Sequence, residues 1–323
     1  MTFGSVLTQT FTTPKWNPKT GLPDLTGKIA IVTGASTGLG KETALNLSSK
    51  GAHVFCVGRS AEKTQAAVAD IISKSGNTNV EFLQADLMDL ASVESAADTF
   101  LARNLPLHIL VNNAGIMESP WGLSKEGIET QFATNHFAHV VLTAKLLPVL
   151  EKSQPSRIVI LSSMSHYANL SSQKGGIKYV TSWEQDKYDA FTRYGETKLA
   201  NLHFARELQS RLDAKLGVDS KIYVNAVHPG IVRTELQRTM NPTAASVIQP
   251  ILISAEKGAL TQTYVAASED IEKQNLKAKY FVPYCKVAEI SADAQDKTQA
   301  VNTWEWTEKI LKQQYKPDWT FGL

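Results

Sequence analysis

Tyr194 and Lys198 lie four residues apart in the segment Tyr-Gly-Glu-Thr-Lys, a spacing that could make the tyrosine a usable acid or base. A free tyrosine has a pKa of about 10, so its phenol is a weak proton donor at neutral pH. On a helix, residues i and i+4 share one face, and the charge of Lys198 would then lower the phenol pKa. Such a pair is usually a solvated helix face. However, only one of the nine tyrosines has a lysine four residues on.

A second motif, Thr-Gly-Ala-Ser-Thr-Gly-Leu-Gly at 33–40, joins a predicted strand to a predicted helix. The β-branched run at 28–33 indicates a buried strand, and residues 41–50 have a helical pattern. Glycines let a turn approach a pyrophosphate, and a helix N-terminus offers free N–H groups to phosphate. The glycine spacing differs from the commoner Gly-x-Gly-x-x-Gly. An ordinary glycine-rich turn is the alternative, but the context favours a dinucleotide site.

The end of the next predicted strand, 52–58, indicates which dinucleotide would bind. In such folds an acidic side chain near this strand end binds the ribose 2′-OH of NAD, whereas an arginine accommodates the 2′-phosphate of NADP. Here Gly58 occupies the acidic position and Arg59 follows it. Because a guanidinium stays charged and binds phosphate in a fork geometry, we predict NADP (NADPH) as the cofactor. A surface arginine at a strand end is the alternative.

Composition excludes several classes of partner. The chain has 323 residues, of which 43% are hydrophobic, enough for one large α/β domain with a full core. A net charge of +2 favours neither nucleic acid nor an anionic membrane as a partner. Two cysteines make no disulfide framework, and no long apolar run predicts a membrane span or a signal peptide. We therefore expect a reduced, cytoplasmic protein.

Predicted strands and helices alternate along the chain. The main strands are expected at 28–33, 52–58, 79–84, 108–113, 156–162, 221–227 and 279–283. This alternation predicts an α/β fold with a doubly wound parallel sheet of about seven strands and helices on both faces, a Rossmann fold. Ligands of such sheets bind beyond the carboxyl ends of the strands. We expect an N-terminal arm at 1–27 and a single domain at 28–323.

These motifs, taken in order, resemble the short-chain dehydrogenase/reductase family over roughly residues 25 to 285. Within that family the chain is most similar to the branch of retinol-dehydrogenase-like and WW-domain-oxidoreductase-like proteins. The closer likeness depends on the strand end at Gly58-Arg59, the entry at 22–28, the stretch 228–234 and the long gap before Tyr194. The family motifs present are TGASTGLG at 33–40, Asp86-Leu87, Asn112-Asn113-Ala114-Gly115, Asn135, Ser162-Ser163, Tyr194 with Lys198, and Pro229-Gly230 followed by Thr234.

The resemblance implies a catalytic set. Tyr194 would be the acid or base, and Lys198 would lower its pKa and hold the nicotinamide ribose. Ser163 would hydrogen-bond the substrate oxygen and stabilise developing charge, with the adjacent Ser162 as its rival. Asn135 would steady a water that relays protons from Lys198 to solvent.

The resemblance also implies that the cofactor is bound by loops from several strand ends. Asp86 would contact the adenine, although it could instead cap the following helix, a role for which Asp89 competes better. Val232 and Thr234 would bind the nicotinamide amide. The complete predicted cofactor set is Thr33, Gly34, Ser36, Thr37, Gly38, Leu39, Gly40, Arg59, Asp86, Leu87, Asn113, Ala114, Gly115, Tyr194, Lys198, Pro229, Gly230, Val232 and Thr234.

Two segments are candidates for the walls of a substrate pocket. The insertion near 167–189 is longer than a compact family member needs, and it could line the pocket or lie on the surface. The apolar segment 235–254 could be a lid over an apolar substrate or a packed helix. We assign no metal site, because His136 and His139 have no evident carboxylate or cysteine partner. His228, between a strand and a proline, is expected to be structural.

The sequence therefore predicts an NADP-dependent oxidoreductase, of carbonyl reductase type, that interconverts a carbonyl and an alcohol on a lipophilic small molecule. A non-catalytic NADP-binding sensor or scaffold is the main alternative, but it would have lost part of the Ser/Tyr/Lys set. Epimerisation or dehydration usually involves a larger C-terminal domain than the stretch after Gly230. Homodimers through the helix of Tyr194 are common in the family, and the oligomeric state is left open.

Overall fold

An eight-stranded sheet forms the centre of the protein in a computed structural model, which describes residues 12–171, 176–233 and 252–323. The strand order is β3-β2-β1-β4-β5-β6-β7-β8, with β1 to β7 parallel and β8 antiparallel to β7. The strands are β1 Ile29–Thr33, β2 His53–Gly58, β3 Val80–Gln84, β4 Ile109–Asn112, β5 Ser156–Leu161, β6 Ile222–Val227, β7 Tyr280–Val282 and β8 Lys286–Ala288.

Helices cover both faces of this sheet, and each face has its own apolar core. The helices are α1 Pro18–Gly21, α2 Gly38–Ser48, α3 Ala61–Ser75, α4 Leu90–Leu101, α5 Thr130–Phe132, α6 Ala138–Lys152, α7 Ala190–Leu216, α8 Ala255–Ala267, α9 Asp270–Lys273, α10 Ala292–Gln295 and α11 Lys297–Gln314. Residues of α4, α6, α7 and α11 form one core with the sheet, and residues of α2, α3 and α8 form the other.

The predicted fold class, a doubly wound parallel sheet with helices on both faces, is confirmed. The sequence did not indicate the eighth strand. β8 has three residues, of which two are exposed, so neither an apolar run nor an alternating pattern marks it. It forms only because β7 offers a free edge for antiparallel pairing.

The sequence pattern predicts a long helix from about 124 to 151, but the helix begins six residues later, at Thr130, and is not regular. Leu123 and Glu129 pair in a short antiparallel bridge that closes a turn at 124–128, so the chain is not helical before Thr130. The Glu129 carboxylate then caps α5 by accepting hydrogen bonds from the N–H groups of Gln131 (2.9 Å) and Phe132 (3.1 Å). A π-helical turn, Ala133–Phe137, connects α5 to α6. Such turns occur frequently at functional sites.

Both terminal regions pack on the domain. In the described part of the predicted N-terminal arm, Leu22 and Leu25 are buried, and the Trp16 ring meets the Tyr264 ring edge-on at 5.4 Å. At the other end, Trp304 of α11 stacks on Phe204 of α7, with ring centroids 5.8 Å apart. The C-terminal tryptophans Trp304, Trp306 and Trp319 are buried in the core, so they hold the C-terminal region on the domain.

The second half of the insertion, 176–189, lies against α5 and α11. The Trp306 indole donates a hydrogen bond to the Val180 carbonyl (2.7 Å), and the Trp183 ring lies 5.5 Å from that of Phe132. Arg193, at the start of α7, places its guanidinium 5.2 Å from the Trp183 ring centre. These contacts hold the insertion beside the start of the helix that carries Tyr194.

Six of the seven histidines have a pKa lowered by burial. All except His108 are at least nine-tenths buried. Burial lowers the pKa to about 4 for His108, His136, His166 and His203, and to about 3 for His139 and His228. The folded protein therefore holds neutral imidazoles, which an unfolded chain would protonate at mildly acidic pH.

We predict that this burial makes the protein labile to acid. Above about pH 6.5 the histidines are neutral in both states, whereas below it the unfolded chain binds more protons, so stability falls as pH falls. Each fully buried histidine should remove about 1.4 kcal/mol of unfolding free energy per pH unit in this range. Urea titrations from pH 8 to pH 5 measure the effect, and the variant His203→Gln should show a shallower dependence by about one proton. An unfolding midpoint that stays constant down to pH 5 would contradict the prediction.

Candidate active site

The loops that follow β1, β4, β5 and β6 meet at the carboxyl edge of the sheet. Hydrogen bonds between strand ends hold them together: the Ala35 N–H binds the Val57 carbonyl (3.2 Å), and the Ser162 N–H binds the Val227 carbonyl (2.8 Å). The parallel register places the glycine loop, the Asn113–Gly115 turn and the serine pair along this edge. Most of the predicted site residues thus lie at one edge of the sheet, where such folds bind ligands.

Tyr194 and Lys198 lie one turn apart on α7, and both are buried (6% and 4% exposed). Asp189 starts this helix by accepting a hydrogen bond from the Thr192 N–H (2.7 Å). The Lys198 ammonium lies 5.4 Å from the centre of the Tyr194 ring and donates a hydrogen bond to the Leu161 carbonyl at 3.2 Å. The helical spacing expected from the sequence therefore places the two side chains together.

Burial has a larger effect on the pair than the lysine charge does. It raises the pKa of Tyr194 to about 12, and the charge of Glu118 raises this pKa further. The neighbouring Ser163 hydroxyl has the opposite effect, which is smaller than that of burial. Burial also lowers the pKa of Lys198 to about 8. The net change in the Tyr194 pKa is therefore opposite to the lowering that the lysine spacing predicts. The reason is that a buried phenolate loses its hydration while the ammonium points to the Leu161 carbonyl.

The two adjacent serines have different partners. Ser162 donates its hydroxyl hydrogen to the Lys198 carbonyl (2.8 Å), so it connects β5 to α7. The Ser163 hydroxyl donates to the Ser165 hydroxyl (3.2 Å), accepts from the Ser165 N–H (3.1 Å) and lies near enough to the Tyr194 phenol to lower its pKa. Of the two candidate serines, only Ser163 has its hydroxyl group next to the Tyr194 phenol.

Asn135 lies in the π-helical turn and holds the loop that follows β4. Its side-chain oxygen accepts from the Ile116 N–H (2.8 Å), and its side-chain nitrogen donates to the Ile116 carbonyl (2.9 Å). Its own carbonyl accepts from the Asn201 amide at 3.0 Å and from the His139 Nδ1–H at 3.2 Å. Asn135 therefore supports the wall of the site next to Lys198, and its role in a water relay stays a prediction.

His139 connects this turn to the glycine loop. Because its Nδ1 donates to a carbonyl, its Nε2 must accept a hydrogen bond, which comes from the Thr33 hydroxyl at 3.0 Å. That hydroxyl in turn accepts from the N–H groups of Asn113 and Ala114, each at 2.9 Å. Sequence reasoning missed this connection, although His139 lies four residues after Asn135 on one helical face.

Asn201 is a second connecting residue that sequence reasoning missed. Its side-chain nitrogen donates to the Leu161 carbonyl (2.9 Å), the same carbonyl that Lys198 binds, and to the Asn135 carbonyl (3.0 Å). Asn201 follows Tyr194 by seven residues, so it lies two turns further along the same helical face. This spacing could have predicted that Asn201 points toward the site.

The loop at 33–40 has the geometry of a pyrophosphate site. Gly34 has a φ of +66°, which side chains rarely adopt, and a Cβ on Gly40 would lie 2.4 Å from the Gly34 carbonyl oxygen. In the part of the chain that the structure describes, the Thr37 side chain makes no capping hydrogen bond to α2. The first N–H groups of this helix are thus available to an anion.

Other predicted cofactor residues lie along the same edge. Asp86 accepts from the Met88 N–H at 3.0 Å, whereas Asp89 caps α4, so the capping alternative for Asp86 is wrong. A Cβ on Gly115 would lie 3.5 Å from the Lys198 Nζ. The remaining members at this edge are Ser36 and Leu39 in the glycine loop, Leu87 packed against the core, Asn113 bound to the Thr33 carbonyl, and Pro229 and Gly230 after β6.

The described structure covers the segment after Gly230 in part. Val232 is buried and pairs with Ile253, and Gly230 (φ +95°) packs against the same isoleucine. Thr234 and residues 235–251 of the predicted lid lie outside the described residues. The Nδ1 of the buried His228 has no hydrogen-bond partner among the residues that the structure describes.

The described residues contain neither a cluster of metal-binding side chains nor a helix that could span a membrane. They contain no group of three His, Cys, Asp or Glu side chains that could hold a metal ion. Both ring nitrogens of His136 are hydrogen-bonded instead, to Asn201 at 3.1 Å and to Thr307 at 2.9 Å. No helix within residues 12–171, 176–233 and 252–323 is long and apolar enough to cross a membrane.

Comparison with known proteins places the chain among dinucleotide-dependent oxidoreductases of this fold. Residues 28–182 match the profile of the family described as short chain dehydrogenase. The chain is 37% identical to mouse retinol dehydrogenase 12 over 90% of its length and 88% of that protein. It is 35% identical to the human WW domain-containing oxidoreductase over 90% of its length and 69% of that protein. The chain belongs to the short-chain dehydrogenase/reductase family.

A solved structure supports the same assignment. An uncharacterized protein from Mycobacterium paratuberculosis superposes with a TM-score of 0.73 and 31% sequence identity, over 92% of this chain and 97% of that one. The family resemblance predicted from the ordered motifs, and the closer likeness to the retinol dehydrogenase and WW-domain oxidoreductase branch, are confirmed. The protein is thus an oxidoreductase of a family that binds a nicotinamide cofactor.

We predict that substitutions will distinguish the roles of Ser162 and Ser163. Ser163→Ala removes the hydroxyl from the phenol and should lower kcat by about 100-fold with little change in thermal stability. Ser162→Ala removes a buried hydrogen bond to the backbone of α7 and should cost about 1 kcal/mol of stability with a smaller loss of kcat. Steady-state kinetics and urea unfolding of both variants provide the test. A larger loss of kcat in Ser162→Ala than in Ser163→Ala would reverse the assignment.

Proposed function

We propose that the protein is an NADP-dependent oxidoreductase that interconverts a carbonyl and an alcohol on a lipophilic small molecule. The observation that carries the proposal is the buried Tyr194, which lies beside Ser163 and one turn from Lys198, at the sheet edge that also holds the glycine loop. A proton donor, an oxyanion partner and a phosphate-binding loop are thus combined in one site. When bound, the cofactor supplies or accepts the hydride.

The protein's own residues would transfer one proton to or from the substrate oxygen. With a pKa of about 12, the Tyr194 phenol is protonated at neutral pH, which is the state that can donate to a carbonyl oxygen during reduction. The Ser163 hydroxyl beside the phenol would hydrogen-bond the same oxygen and stabilise its developing charge. Lys198, with a pKa of about 8, remains mostly protonated at pH 7 and would favour the transient phenolate.

The end of β2 supports NADP over NAD. A Cβ on Gly58 would lie 2.3 Å from the Thr64 hydroxyl, so an acidic side chain at this position would collide with α3. Arg59 follows, and its side chain is exposed. An arginine near this strand end accommodates a 2′-phosphate in dinucleotide folds. The same arrangement therefore disfavours a carboxylate for the ribose hydroxyl and offers a guanidinium for a phosphate.

An apolar substrate is supported by the surface around the helix of Tyr194. Phe191 lies one turn before Tyr194 on α7, and its side chain is 48% exposed. The loop after β4 is braced by aromatic residues of the insertion: the Tyr188 hydroxyl donates to the Ser119 carbonyl (2.7 Å), and its ring lies 5.3 Å from that of Trp121. The similarity to a protein named retinol dehydrogenase also favours a lipophilic substrate.

Replacing the phenol tests the catalytic proposal. Tyr194→Phe keeps the ring but removes the proton donor, so we expect kcat to fall by at least about 100-fold while NADPH affinity stays unchanged. The measurement is NADPH oxidation with retinaldehyde, medium-chain aldehydes and a hydrophobic ketone. Tyr179→Phe, which alters a hydroxyl bound to Gln299 instead, is the matched control and should be fully active. If the wild type binds NADPH but reduces none of these substrates, a cofactor-binding sensor replaces the enzyme proposal.

Removing the guanidinium tests the cofactor proposal. Arg59→Ala should weaken NADPH binding by about 10- to 100-fold, the effect of losing a charge-assisted contact, and should leave NADH binding unchanged. Isothermal titration with each nucleotide measures both affinities. Arg103→Ala, at a surface arginine paired with Glu81, is the control for a general loss of positive charge. If Arg59→Ala weakens the binding of NADPH and of NADH equally, Arg59 does not contact the 2′-phosphate.

A further inference from the structure

Ser163 lies outside regular secondary structure, between the end of β5 and a 3-10 helix at Met164–Ser171. Its hydroxyl must nevertheless face the Tyr194 phenol, so something has to hold its main chain. We propose that His166 is the positioning residue that sets the orientation of Ser163 and thereby the direction of its hydroxyl toward Tyr194. This inference rests on the proposed function, because it assigns a role within the same site.

The hydrogen bonds of His166 determine its tautomer. Its Nδ1 lies 2.6 Å from the Ser163 carbonyl oxygen, which can only accept, so the ring hydrogen is on Nδ1. Its Nε2 then carries a lone pair, and it accepts from the Ser291 N–H at 3.3 Å. The His166 N–H binds the same Ser163 carbonyl at 3.2 Å. Two donors of one residue thus hold the serine carbonyl in a single direction.

Packing holds the His166 ring in this orientation. The side chain is buried (1% exposed), with the Tyr167 ring 4.0 Å away on one side and the Tyr280 ring edge-on at 5.2 Å. The Tyr167 hydroxyl donates to the Glu289 carbonyl at 2.6 Å. The turn after β5 is therefore anchored twice to the chain between β8 and α10, through Glu289 and Ser291.

This geometry separates positioning from acid–base catalysis. Both ring nitrogens of His166 are occupied by main-chain groups, so neither is available to take or give a proton at the substrate. Burial lowers its pKa to about 4, which keeps the ring neutral and the tautomer constant at neutral pH. His166 would affect the reaction only through the position of Ser163. The C-terminal segment at 289–291 would contribute by holding His166.

A double-mutant cycle tests this role. His166→Phe keeps a flat ring but removes both nitrogens, so Ser163 should be displaced and kcat should fall by about 10- to 100-fold. In a Ser163→Ala background there is no hydroxyl left to misplace, so the same substitution should change the residual rate by less than about twofold. His166→Asn restores a donor near the Nδ1 position and should recover most of the activity of His166→Phe.

The outcomes that overturn the proposal are distinct. If His166→Phe lowers kcat by the same factor with and without Ser163, the residue supports the fold in general and the proposal is wrong. Nitrogen-15 spectra of histidine-labelled protein add a readout that needs no substrate. A hydrogen on Nδ1 of His166, absent from His166→Asn, is expected, whereas a hydrogen on Nε2 would overturn the proposed contact. If the wild type reduces no substrate, the proposed function fails, and these spectra still decide whether His166 holds Ser163.

Discussion

The buried ammonium group of Lys198 is the constraint around which this site is organised. A cation removed from water costs free energy unless hydrogen bonds replace its hydration. Lys198 is 4% exposed, its Nζ donates to the Leu161 carbonyl, and burial lowers its pKa to about 8. None of the ion pairs formed by the described residues includes it. An ammonium has three donors, and the Lys198 Nζ also lies beside the Gly115 turn, 3.5 Å from where a Cβ on Gly115 would be.

Meeting this requirement ties the catalytic helix to the cofactor loop. Asn201 shares the Leu161 carbonyl with Lys198 and holds the carbonyl of Asn135. That carbonyl lies within the π-helical turn, and His139 carries the connection from it to Thr33 at the start of the glycine loop. These contacts are buried hydrogen bonds between neutral groups, so they strengthen one another in a low dielectric and leave little freedom for one half of the site to move without the other.

Much of this arrangement could be predicted because its signals are local. The run at 28–33, the glycines after it and the four-residue spacing from Tyr194 to Lys198 each depend on residues that are neighbours in the chain. What escaped prediction depends on distant partners. The eighth strand forms by pairing with the edge of β7, and the π-helical turn includes Asn135, whose side chain binds Ile116. The pKa of Tyr194 is raised because the folded chain buries its phenol. A lysine one turn away suggests a lowered phenol pKa only as long as desolvation is ignored.

The sequence by itself determined the alternation of strands and helices, the class of cofactor site and the residue types that carry the chemistry. Periodicity, glycine spacing and i, i+4 pairs are properties of a chain before it folds. Only the tertiary structure decided which of the two serines faces the phenol, since Ser162 and Ser163 are chemically the same and differ in the carbonyl or phenol that each hydroxyl meets. It also decided that His166 holds Ser163 and that a side chain at Gly58 would collide with Thr64, because both depend on packing between segments that the chain alone does not bring together.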